Sequence, residues 1–77
     1  MTKEEIVDEI VRLRLELTEY NRDILYMSKH RENIADDQNI TGEFKNPILE
    51  CIDREIYILD SICRDVEKEI NHYEEQV

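Results

Sequence analysis

The stretch Ala35-Asp36-Asp37-Gln38-Asn39-Ile40-Thr41-Gly42-Glu43-Phe44-Lys45-Asn46 decides how this 77-residue chain folds. On both sides of it apolar residues recur in alternating steps of three and four. Inside it that period is lost and Asp, Asn and Gly accumulate. Short polar side chains that bond the nearby backbone favour turns, as does a glycine free of Cβ clashes. We read residues 35–46 as the loop between two helices. Asn46 and Pro47 predict a helix start, because Asn can accept from free first-turn amides and a proline at the first helical position has no amide to leave unpaired.

Upstream of the loop, Thr2 and Glu5 stand three residues apart in the capping-box pattern, which predicts a helix beginning at Lys3. Ile6, Ile10, Leu13, Leu17, Tyr20, Ile24 and Met27 then form a heptad seam, and Ile34 returns in phase after Arg31. With no internal Gly or Pro, this predicts one helix over residues 3–34, about 48 Å long. Downstream, Leu49, Ile52, Ile56, Leu59, Cys63, Val66, Ile70, Tyr73 and Val77 carry the same steps through a helix over residues 47–76.

A loop of this length lets the second helix return antiparallel to the first. Both seams then fall into one register, which pairs Ile34 with Leu49, Arg31 with Ile52, Met27 with Ile56, Ile24 with Leu59 and Tyr20 with Cys63. Beyond these come Leu17 with Val66, Leu13 with Ile70, Ile10 with Tyr73 and Ile6 with Val77. Arg31, the charged member of an apolar series, is expected to fix register or to snorkel to water. The fold class is therefore all-α: one coiled-coil-like helical hairpin spanning residues 1–77. Val7, Val11, Leu25, Ile48, Ile58 and Ile62 flank the seam, making an apolar face wider than one hairpin covers. That excess implies self-association, with a dimeric four-helix bundle as the expected form.

Composition narrows the function. Twenty acidic residues against ten basic ones give a formal net charge of −10, which opposes direct binding to nucleic-acid phosphates or anionic membranes. No apolar leader and no run of about 18 apolar residues is present, so a cytoplasmic protein with reduced thiols is expected. Cys51 and Cys63, 12 residues apart on one helix, are separated by roughly 18 Å and cannot pair within the chain. Cys51 has no neighbouring base in the sequence and Cys63 lies in the seam, so neither reads as a nucleophile.

Glu69-x-x-His72, joined by Glu16 from the other helix, is similar to the Glu plus Glu-x-x-His arrangement of ferritin-like di-iron proteins, and that resemblance implies a metal cluster. The register sets Glu16 against Glu69, Arg14 against Glu67 and His30 against Glu55, with Arg12 near Glu69. Glu16-x-x-Glu19 and Glu50-x-x-Asp53 resemble the paired acidic motifs of all-helical nucleotide pyrophosphatases. The register holds those pairs roughly 20 Å apart, too far to share Mg²⁺. No metal or other cofactor is expected.

The second helix is the acidic element, with nine acidic and three basic residues over 47–77, against eight and six over residues 2–34. An acidic face of this kind can imitate nucleic acid and occupy the cleft of a DNA- or RNA-binding protein, as small phage inhibitors do. The order of helix, Asn39-Ile40-Thr41-Gly42-Glu43-Phe44 loop and helix also looks like the N-terminal half of phage late-gene transcription activators. Those carry a DNA-reading helix-turn-helix afterwards and this chain stops before one, so the resemblance implies oligomerisation at most. The residues lead to a non-enzymatic protein-interaction module that self-associates and holds or inhibits a protein partner. Ile58, Ile62, Tyr57, Tyr26 and Leu25 are the expected contact residues. The alternatives are the acidic decoy and the carboxylate metal bundle.

Overall fold

The computed structural model describes all 77 residues and consists of two helices, α1 (Lys3–Asp36) and α2 (Gly42–Glu74), packed against each other as a hairpin. α1 begins as its capping signal requires, with the Glu5 amide donating to Thr2 Oγ1 at 3.2 Å. It ends two residues beyond the expected Ile34, where the Asp37 amide donates to the Ile34 carbonyl. The Asp37 carboxylate then accepts from the Asn39 amide at 2.9 Å, turning the chain.

The start of α2 corrects the sequence reading. The helix begins at Gly42, not at Pro47, and the loop shrinks to residues 37–41. Thr41 is the extended cap residue, and its carbonyl accepts from the Phe44 and Lys45 amides at 3.1 and 2.8 Å. Glu43 in the first turn suits the positive end of the helix dipole. Pro47 lies inside the helix, near its N-terminal end, where it deprives the Glu43 carbonyl of a helical donor. Lys45, placed in the loop by its sequence surroundings, donates from Nζ to the Ala35 carbonyl at 3.0 Å. The last turn of α1 contains no basic residue, so this lysine from the opposite helix satisfies one of its free carbonyls.

The proposed seam describes the packing. Every seam position from Ile6 to Ile34 and from Leu49 to Tyr73 is buried or half-buried. The outermost layer is the exception: α2 ends at Glu74 and Val77 is 51 % exposed, so Val77 does not close over Ile6. Arg31 leaves the seam and donates to Asp53 at 2.5 and 3.2 Å, next to its expected neighbour Ile52. The Cys63 thiol donates to Asn21 Oδ1 at 3.7 Å, beside its expected partner Tyr20. Two polar pairings differ. Arg14 bonds to Glu74, one heptad beyond Glu67, and the His30 ring stacks on Tyr26 at 6.5 Å without an ion pair to Glu55.

Burial is uneven along a rod measuring 57 × 14 × 12 Å. Ile6, Ile10, Leu13, Val66 and Ile70 form the core cluster at the end where the two termini meet, with Leu17, Tyr20, Ile62 and Tyr73 packed on it. Toward the loop only Ile52 is buried, while Ile24, Met27, Ile34, Leu49, Ile56 and Leu59 remain half-exposed. Neither helix is long and apolar enough to cross a membrane.

Candidate protein-interaction surfaces

Two antiparallel helices present two broad faces, and the cross-helix bonds identify which residues share each. Arg14 with Glu74, and Arg31 with Asp53, mark one face. At steps of three, four and seven residues and their sums from these, the same face carries Val7, Val11 and Leu25 on α1 and Tyr57, Asp60 and Glu67 on α2. Arg12, which lies in the field of Glu69, marks the other face. There α1 carries Glu16, Tyr26 and His30, and α2 carries Phe44, Ile48, Cys51, Glu55, Ile58 and Ile62.

The five expected contact residues consequently form two patches. Tyr26 lies with Ile58 and Ile62, whereas Leu25 lies with Tyr57 on the opposite face. One step along a helix turns the side chain by about 100°, which carries consecutive residues such as 25 and 26, or 57 and 58, to different sides. Leu25, Tyr26 and Tyr57 are 72 %, 75 % and 69 % exposed, and Ile58 is half exposed. Ile62 is half-buried against the hairpin core, so it is only partly free for another molecule.

Phe44 and Cys51, both exposed, extend the Ile48–Ile58–Ile62 stripe and were missed by sequence reasoning. Their signal was present: 44, 48, 51, 55, 58 and 62 keep the three-and-four step, with Glu55 as the single polar member. Assigning Phe44 to a loop concealed it. Leu15 is also largely exposed on the outer side of α1, one turn from the exposed Val11.

The metal-like constellation does not assemble. Arg12 ion-pairs with Glu9 and donates to Glu16 at 3.1 Å, so the Glu16 and Glu69 carboxylates are balanced by a guanidinium. The hydrogen bond from Arg12 holds the Glu9 carboxyl below its ordinary range. His72 Nε2 lies 2.9 Å from the Gln76 side-chain nitrogen. No group of three or more His, Cys, Asp or Glu side chains converges anywhere on the hairpin. Burial first, and then the fields of Asp60 and Glu67, push the Cys63 thiol up and keep it protonated.

Three acids of the ion-paired face are engaged, while Glu67 on the same face has no ion pair. Asp53 is bound by Arg31, whose hydrogen bond holds its carboxyl low; Asp60 is bound by Arg64 at 2.5 Å, and Glu74 by Arg14. Compared with known proteins, the chain matches no family model, and no curated protein or solved structure shows significant similarity to it.

Proposed function

We propose that this chain is a non-enzymatic protein-interaction module, a cytoplasmic hairpin that self-associates and holds or inhibits a partner protein. The observation that carries this reading is the apolar surface left after the helices have packed: Phe44, Ile48 and Ile58 in one stripe, Leu25 and Tyr57 across from them. Exposed aromatic and aliphatic side chains grouped on a face are the material of protein interfaces. A protonated, buried Cys63 gives little support to nucleophilic catalysis.

The acidic-decoy reading rests on the net charge of −10 and on the fifteen of twenty acids that no arginine of the chain binds, but it does not account for the exposed apolar stripe. Light scattering and sedimentation over low-micromolar to millimolar concentration test the module reading. Reversible association is expected, and a monomer throughout would overturn it. For the partner arm, cross-linking in cells should yield adducts that Leu25→Ser with Tyr57→Ser depletes and that neutralising Asp60 and Glu67 leaves in place.

A further inference from the structure

We infer that the stripe Phe44, Ile48, Cys51, Glu55, Ile58 and Ile62 is the seat of a second copy of this chain, which packs its own α2 antiparallel on the first. This rests on the module reading and specifies one partner, one face and one register for it.

The stripe is self-complementary. Its steps read the same from either end, so a two-fold axis at the level of Asp53 sets Phe44 against Ile62 of the second copy, Ile48 against Ile58, and Cys51 against Glu55. An isologous interface needs a surface that matches itself when reversed; any stripe of alternating steps does so in spacing, and here the reversal also sets apolar against apolar at four of the six positions. The alternating step also lets each side chain enter a gap between the facing ones, as in the hairpin seam. Glu55 sits level with the small Cys51 of the second copy, with the second Glu55 carboxylate about 6 Å further along the axis.

Surface area points the same way. The hairpin exposes 6095 Å² for 9.3 kDa, whereas a compact monomer of that mass exposes roughly 5,000 Å². The excess of roughly 1,100 Å² belongs to the whole elongated rod, and it is larger than the approximately 800 Å² that each partner contributes to an interface of ordinary size. The location fits as well. Overlap centred on Asp53 covers the loop half of the rod, where Ile56 and Leu59 are half-exposed, and leaves outside it the terminal half, where Ile6, Leu13, Val66 and Ile70 are already buried.

The test uses the full chain and light scattering. The wild type is expected to dimerise reversibly, and Ile48→Ser with Ile58→Ser should stay helical but weaken the dimer by at least about a hundredfold. Val7→Ser with Val11→Ser, on the opposite face, should leave the dimer intact. Glu55→Leu removes the charge from the stripe and should tighten the dimer by about tenfold or more. That gain keeps the proposal testable if the serine variant fails to fold. In a Cys51→Ser background, Ile48→Cys with Ile58→Cys should oxidise to a covalent dimer. Those two positions lie about 15 Å apart within one chain, too far to bridge. A dimer insensitive to the Ile48 and Ile58 changes, or no covalent dimer, overturns this face and register while leaving the module reading standing. A chain monomeric at millimolar concentration overturns both.

Discussion

Leu13 and Leu15 lie two residues apart on α1, one against Val66 and Ile70 and the other facing outward, at 2 % and 63 % exposed. Replacing each by Ala changes helix propensity by the same small amount, so the difference between the two variants isolates burial. At Leu13 about three buried carbons are removed, worth about 0.8 kcal/mol each in transfer, and a cavity between packed helices adds to this. The expected loss is about 3 kcal/mol, a large part of the roughly 4–12 kcal/mol available to a chain of this length. At Leu15 only the covered third of the side chain counts, for a loss under about 1 kcal/mol. With about 4–8 °C of melting temperature per kcal/mol, Leu13→Ala should fall by about 12–24 °C and Leu15→Ala by under about 8 °C. Far-UV circular dichroism at one fixed protein concentration measures both, since any association makes the melting temperature concentration-dependent. Equal losses, or a larger one at Leu15, would refute the phase of the α1 seam and the burial argument with it.

Pro47→Ala should raise stability by up to about 3 kcal/mol, by restoring the donor that the Glu43 carbonyl lacks inside α2; a loss of stability in melts would return the helix start to Pro47. Asp53→Asn should lower the melting temperature at neutral pH and converge on the wild type in acid. The reason is that Arg31 depresses the Asp53 carboxyl, so its stabilisation is present above the ordinary carboxylate pKa of about 4 and is lost as pH falls through the lower folded value. Melts across that range that keep a constant offset would remove the ion pair as the cause.

How much of this was legible in the sequence follows from the reach of each signal. The heptad seam could be read because every residue from Ile6 to Tyr73 in it answers to one period, and tertiary packing had only to bring two such periods together. The start of α2 could not, because Asn46-Pro47 is a stronger local signal than Thr41-Gly42-Glu43. What overrides it is the gain from five further residues of helix, including the Lys45 bond to Ala35, which no local rule contains. The error in the boundary propagated to the surface: with Phe44 in a loop, the Ile48–Ile58–Ile62 stripe had no beginning. The division of Tyr26 and Leu25 between opposite faces needed no tertiary contact, since the step of about 100° between consecutive helical residues already contains it.

Salt distinguishes the apolar dimer from any association held by charge. Each chain carries a net charge of −10, so two copies repel as they approach, and the proposed stripe contains no cation to offset this. Exposed charges interact over about 8 Å at physiological ionic strength and about 3 Å at 1 M, so added salt weakens the repulsion strongly. The apolar contacts of Phe44, Ile48, Ile58 and Ile62 do not depend on that screening. Sodium chloride is the appropriate salt, because sulfate strengthens apolar burial by its own exclusion and would confuse the two terms. Raising sodium chloride from about 0.15 M to about 1 M should therefore tighten the dimer severalfold in sedimentation equilibrium. A dimer that dissociates under the same change would be held by ion pairs between chains, and the apolar stripe would then not be its seat.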